Sequence, residues 1–156
     1  MQNNWTVRAD IGAWFEDGPD RGRILASGRD TEGRYSLMEW IVGAGEPAGP
    51  DAPRNYGAHR HRDIEETFYV KSGALEFLLG EQVATLGPGD FVRVPPGVRH
   101  GYANVSGAPV ELLVSFHPGG FEALFVKYRT DQDPAAAGDG FVADAMRLYA
   151  SEFETF

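Results

Sequence analysis

His59-Arg60-His61-Arg62-Asp63-Ile64-Glu65-Glu66 and Gly89-Asp90-Phe91-Val92-Arg93-Val94-Pro95-Pro96-Gly97-Val98-Arg99-His100 are the two blocks that decide the reading of this chain. Three of its four histidines lie in them. Side chains two apart on a strand share a face, so His59 and His61 converge where two imidazoles can share a cation. Parity also separates the glutamates. Glu66, Phe68 and Val70 fall on one face; Glu65, Thr67, Tyr69 and Lys71 fall on the other. The first set is apolar and faces inward. A carboxylate there is buried and needs a compensating partner, and a cation held by His59 and His61 is one. His100 follows the tight turn Pro95-Pro96-Gly97, which ends one strand and starts the next near the same end of the fold. Three imidazoles and a carboxylate form a nitrogen–oxygen set suited to one divalent ion of Mn, Fe, Co, Ni, Cu or Zn, with one or two positions left for water or substrate. His117 has no partner pattern and reads as structural.

Outward from these blocks the texture is short β runs. Strands are expected over Arg23–Ser27, Arg34–Val42, Glu66–Lys71, Ala74–Leu79, Gln82–Leu86, Phe91–Pro95, His100–Val105 and Val110–His117. Gly/Pro turns separate them, as at Gly87-Pro88-Gly89 and Pro96-Gly97. Such spacing predicts an antiparallel sandwich or barrel, without βαβ crossovers. Residues 43–58 carry three prolines and four glycines, so they form neither a helix nor a central strand. This loop leads directly to His59 and is expected to border the site.

Beyond Pro118, Phe121, Leu124, Phe125 and Tyr128 recur at helical spacing, with Glu122 in the first turn. Residues 131–140 read as a linker. Asp139 then caps a last helix whose apolar stripe runs through Phe141, Ala145, Leu148 and Tyr149 and extends to Phe153. At the other end, Val7, Ile11, Trp14 and Phe15 suggest a short helical face or an arm packed on the body.

The length of 156 residues suits one domain. A single domain over 1–156 is expected, with a barrel over about 22–118 and a helical segment over about 119–156. The net charge of −9 argues against nucleic-acid and anionic-membrane partners. The absence of cysteine excludes thiolate metal sites, iron–sulfur clusters, disulfides and a cysteine nucleophile. The N-terminus reads as no signal peptide, no apolar run approaches a membrane span, and a cytoplasmic location is expected.

The two blocks resemble the paired motifs of the cupins. His59, His61, Glu66 and Gly73 fit H-x-H-x4-E-x6-G, and Gly89, Pro95, Gly97, His100 and Asn104 fit G-x5-P-x-G-x2-H-x3-N. The intervening length is similar to that of small single-domain bacterial cupins related to quercetin dioxygenase. One departure is Pro53, where a glycine often stands six residues before the first histidine. The resemblance covers about residues 22–128. It implies an all-β, double-stranded β-helix (jelly-roll) barrel with short C-terminal helices. It also implies a metal held inside by His59, His61, Glu66 and His100, with Asn104 and the glycines structural. Around the open face of such a site, Met38, Trp40, Tyr56, Phe68, Phe77, Tyr102 and Phe116 are candidates for the substrate pocket.

The function expected on that basis is a metal-dependent dioxygenase acting on a small enolic, phenolic or flavonol-like molecule, with Glu66 as both ligand and proton acceptor. The alternatives are a non-redox isomerase, cyclase or lyase using the same metal, or a small-molecule-binding barrel without turnover. H-x-H in place of H-x-D is unlike the 2-oxoglutarate oxygenases, and a single motif pair is unlike two-domain oxalate decarboxylases. Barrels of this kind often pair, and the aromatic N-terminus (Trp5, Trp14, Phe15) suits a homodimer contact.

Overall fold

The computed structural model describes residues 14–45, 56–129, 134–149 and 151–153. Trp5, Val7, Ile11 and most of the 43–58 loop lie outside them. Among them ten strands precede the helices: β1 (Trp14–Asp17), β2 (Asp20–Ala26), β3 (Ser36–Val42), β4 (His59–His61), β5 (Glu65–Ser72), β6 (Leu75–Leu79), β7 (Gln82–Leu86), β8 (Phe91–Val94), β9 (His100–Ala103) and β10 (Val110–His117). Helices α1 (Glu122–Arg129) and α2 (Pro134–Tyr149) follow, and then a last strand, β11 (Ser151–Phe153).

The pairing is a set of nested antiparallel ladders. β6 pairs with β7, β5 with β8, β4 with β9 and β3 with β10. Successive pairs go to alternate sheets. One sheet runs β1-β2-β3-β10-β5-β8 and the other β11-β4-β9-β6-β7. A long hairpin wound between two sheets in this way is the double-stranded β-helix, as expected.

Alternation supplies the core. Ser36, Met38, Trp40 and Val42 of β3 are buried, and so are Val110, Leu112, Val114 and Phe116 of β10 and Glu66, Phe68 and Val70 of β5. The three strands are neighbours, so Trp40, Leu112 and Val70 align across the sheet. Their inner faces make one continuous apolar layer.

Several expectations about the ends are corrected. Trp14 and Phe15 lie in strand β1, paired with β2 through the Gly18-Pro19 turn, not in a helix. Phe15 is buried against Trp40 and Phe125 and is unavailable for a contact with another chain, while Trp14 remains half-exposed. The expected linker over 131–140 is shorter, because α2 begins at Pro134. Proline suits the first helical position, and the alanines after it have the highest helix propensity. Asp139 is therefore inside the helix and is not its cap. Ala145 is buried and Tyr149 packs on Phe121, but Leu148 is exposed. The helix stops at Tyr149, and the chain returns to the barrel as β11 instead of extending the stripe to Phe153.

Candidate metal centre

Three short elements bring the four candidate ligands together. β4 carries His59 and His61, the first residues of β5 carry Glu66, and β9 begins with His100. The only residue pair joining β4 to β9 is His59 with His100. The turn before His100 is pinned to the first block by the Gly97 N–H, which donates to the His61 carbonyl at 2.7 Å. Gly97 has φ 80°, a conformation that glycine adopts without strain. Gly101 has a different role. A Cβ there would lie 2.3 Å from the Tyr56 carbonyl oxygen, so glycine lets the end of the entry loop cross β9 beside His100.

The three rings face one another with centroids 4.3 to 5.5 Å apart. His61, His100 and Glu66 are buried, and His59 is partly open. Each Nδ1 is engaged away from the centre. That of His59 lies 2.7 Å from the Gly57 carbonyl, that of His100 3.0 Å from the Val98 carbonyl and that of His61 2.7 Å from the Ser151 hydroxyl. A carbonyl only accepts, so Nδ1 carries the hydrogen in at least two of the rings, and Nε2 is left for the centre. Glu66 Oε2 lies 2.9 Å from His100 Nε2 and 3.3 Å from His61 Nε2. The His61 contact is not an aligned hydrogen bond, so His61 Nε2 is a buried nitrogen without a partner.

The charges follow from these contacts. Burial would raise the Glu66 carboxyl, but the hydrogen bond from His100 and the nearness of His61 outweigh it and hold the group below its usual range. Burial would lower His100, and Glu66 outweighs that and raises it. With Nδ1 on a carbonyl and Nε2 on a carboxylate, both His100 nitrogens face acceptors. Burial lowers His59 to about 4, with the neighbouring His100 adding to the effect, so His59 is a neutral donor at pH 7. The residues fit a metal: four donor atoms lie within 4.8 Å of one another, one of them an orphaned nitrogen. Among the described residues, this is the group of His and acidic side chains able to hold one.

Glu65, the competing carboxylate, faces outward and pairs with Arg93. His117 is exposed, 2.8 Å from the Ser115 hydroxyl and stacked on Tyr35, away from the centre. Asn104 ties three segments together. Its amide donates to the Gly43 and Ala108 carbonyls at 2.8 and 2.6 Å and its oxygen accepts from Ser106 N at 3.0 Å.

A cavity of about 330 Å³ opens over three of the candidate ligands, His59, His61 and Glu66. Met38, Trp40, Phe68, Tyr102 and Phe116 line it. Phe77 does not. It lies behind Phe68, with ring centroids 4.9 Å apart, and belongs to the core. Tyr56 borders a second opening beside His59 and Tyr102, where its hydroxyl donates to Glu76 at 3.0 Å. The candidate pocket residues did not include Asp17 and Asp20 from the β1–β2 turn, Gly57, Val114 of β10, or Phe121 and Phe125 from the start of α1, which also line the cavity. The edge of Phe121 meets His61 at 4.7 Å between centroids. The helical aromatic spacing after Pro118 was the available signal for Phe121 and Phe125. Burial raises Asp20, although its Oδ1 accepts from Gly43 N at 2.8 Å. Burial, with Asp20 and Glu66 nearby, pushes the Tyr102 hydroxyl well above its usual range. Tyr102 is therefore a phenol, not a phenolate, at pH 7. No lysine or arginine is among the described residues lining the cavity.

A jelly-roll barrel with a three-histidine, one-glutamate cluster inside it defines a cupin with a candidate metal site. The chain belongs to the cupin domain family, which it matches over residues 39–116. It is also 33% identical over 112 residues to quercetin 2,3-dioxygenase of Bacillus subtilis (strain 168), a stretch covering 72% of this chain and 30% of that protein. The chain thus corresponds to less than a third of that relative's length. Among solved structures it is similar to KdgF from Halomonas sp. (TM-score 0.60, 19% identity, 74% of this chain and 96% of that one). It is also similar to a nucleoside dehydratase from Streptomyces (0.57, 17%, 76% and 86%). A third is the polyketide cyclase RemF from Streptomyces resistomycificus (0.55, 23%, 72% and 78%). These likenesses establish the fold. No helix among the described residues is long and apolar enough to cross a membrane.

Proposed function

We propose that this cupin is a metal-dependent dioxygenase acting on a small, uncharged enolic or phenolic molecule of flavonol-like kind. The observation that carries the proposal is the aromatic cavity set directly over the convergent Nε2 atoms and the Glu66 carboxylate. His59, His61, Glu66 and His100 would hold one divalent transition-metal ion. When bound, such an ion supplies a Lewis-acidic position and, if redox-active, a route for electrons to dioxygen.

The chain's own residues do the rest. Phe68, Phe116 and Phe121 offer ring faces and edges to a planar substrate. The Glu66 carboxylate, kept ionised, would take the proton of an enol or phenol hydroxyl. Tyr102, kept protonated, donates a hydrogen bond. With acidic groups in the wall and no cation among the described lining residues, a carboxylate or phosphate substrate would meet repulsion. The likeness to quercetin 2,3-dioxygenase supports the same reading.

The test is oxygen consumption by the iron-, manganese- and nickel-loaded protein with flavonols, catechols and β-diketones. Uptake with at least one pair is expected, and Glu66→Gln should lower it by about 10²- to 10⁴-fold. No uptake with any pair would overturn the proposal. Product formation under anaerobic conditions would point instead to isomerase, cyclase or lyase chemistry. Ligand binding without turnover, unchanged in His59→Ala, would point to a binding protein.

A further inference from the structure

His61 differs from the other two histidines in what fixes its ring. Gly57 and Val98, whose carbonyls hold His59 and His100, each lie two residues from the histidine they hold. His61 instead reaches a side chain 90 residues further along, the hydroxyl of Ser151, at 2.7 Å. Both residues are 2% exposed. Ser151 arrives there on β11, which pairs antiparallel with β4 in the register Ser151 to His61, Glu152 to Arg60 and Phe153 to His59. On its other side, β4 has a single paired position, His59 with His100. The three-residue strand bearing two of the ligands is therefore held mainly by the C-terminal strand. An ion pair between Arg60 and Glu152 at 3.3 Å fastens the same register from the outside.

We propose that Ser151 is a positioning residue of the metal centre, and that β11 delivers it to set the tautomer and angle of His61. The proposal rests on the reading of His59, His61, Glu66 and His100 as metal ligands. A hydroxyl can accept the Nδ1 hydrogen of His61, which leaves the lone pair on Nε2. Nε2 has no hydrogen-bond partner of its own to orient it. The ring also meets the edge of Phe121, the rings of His59 and His100 and, at 3.3 Å, Glu66 Oε2, but none of these engages Nδ1. Removing the hydroxyl frees the tautomer while leaving all four donor atoms in the chain.

The experiment compares wild type with Ser151→Ala, Ser151→Thr and Ser151→Val in the full chain. Zinc affinity is measured by chelator competition, and the visible spectrum is recorded with cobalt(II). Loss of an outer hydrogen-bond partner of a metal-bound histidine typically weakens binding by about 10- to 100-fold, and Ser151→Ala should do so with an altered cobalt spectrum. Threonine and valine have nearly the same shape, but only threonine keeps the oxygen. Ser151→Thr should thus resemble wild type and Ser151→Val should resemble Ser151→Ala, a split that a purely structural role would not produce. If Ser151→Ala and Ser151→Val bind zinc with wild-type affinity and leave the cobalt spectrum unchanged, the proposal is overturned while the metal centre stands. If wild type takes up neither ion, the metal centre itself falls, and this proposal with it. Should the variants fail to fold, long-range proton–nitrogen NMR of zinc-loaded wild type decides the matter. A hydrogen on His61 Nδ1 is expected, and one on Nε2 would overturn the proposal.

Discussion

Glu122 is a carboxylate that the fold needs and the chemistry does not, and its removal makes a quantitative prediction. It is 3% exposed, at the first residue of α1. Oε1 accepts the Gly28 N–H at 2.6 Å and Oε2 accepts the Gly120 N–H at 2.7 Å. One side chain thus joins the β2–β3 connection to the segment that carries Phe121 against His61. Glu122→Ala leaves both donors without their acceptor. The Gly28 N–H is fully buried, and losing a charged acceptor there costs about 1.5–3 kcal/mol. The Gly120 N–H is partly open to water, so its loss costs about 0.5–1.5 kcal/mol. A carboxylate at a helix N-terminus adds about 0.5 kcal/mol. The sum centres on about 4 kcal/mol, which for a chain of this size lowers the midpoint of melting by about 8–16 °C. Glu122→Gln keeps one acceptor oxygen and the shape, and should cost roughly half as much. Urea unfolding of the metal-free protein at neutral pH measures both, with the slope unchanged. A loss below about 1 kcal/mol for Glu122→Ala, or a larger loss for Glu122→Gln than for Glu122→Ala, would refute the bridge as the source of the stability.

Asp20 gives a pH dependence of known sign. Its folded pKa is raised, first by burial and then by Asp17, against the Gly43 hydrogen bond. The folded state therefore holds the proton more tightly than the unfolded chain. This group's unfavourable contribution is absent below the unfolded pKa of about 3.9 and grows as pH rises through the folded value. Asp20→Asn, which can still accept from Gly43, should be more stable than wild type at pH 7 and equal to it near pH 3.5; equal stability at both pH values would contradict the account. Phe121→Ala should cost about 3–5 kcal/mol from its buried site and raise KM more than it lowers kcat, because it removes cavity wall while all four candidate ligands stay in the chain; a loss confined to kcat would argue against a wall role. A homodimer is still expected, although Phe15 is not its contact, and light scattering should read twice the 17.1 kDa chain mass. A monomer reading would reject it.

The fold and the candidate ligands were legible because both follow the two-residue period of strands. The face shared by Glu66, Phe68 and Val70 is buried as a set, and that single fact chose Glu66 over Glu65. Turn chemistry then brought His100 to the same place. The cavity was only half legible, because the period applies to strands alone. Met38, Trp40, Phe68, Tyr102 and Phe116 sit on strands and were found. Asp17 and Asp20 end strands that were not expected at those positions, and Phe121 and Phe125 flank a helix start, so alternation was not applied to them, while Val114 has the parity of Phe116 and was overlooked. Phe77 was misplaced for a related reason. Alternation tells inside from outside, and Phe77 is inside, but it packs against Phe68 and Tyr102 and does not line the cavity.

Ser151 was the least legible residue of all. A serine between a helix and a chain end carries no periodic signal, and the apolar stripe of α2 suggested that the helix continued past it. Its partner lies 90 residues away, a contact that only the closed barrel creates. The parts of the molecule therefore divide by how they are encoded. The four candidate ligands lie inside the nested ladders and are fixed by local spacing within two short motifs. The wall over them, the β1–β2 turn and the start of α1, and the brace behind His61 come from outside the ladders. A chain could keep both motifs unchanged and still alter cavity shape, cavity charge and the orientation of His61 through those outer segments. Substitutions at Asp20, Phe121 and Ser151 are accordingly the ones expected to change what binds and how a metal would be held while leaving the barrel itself intact.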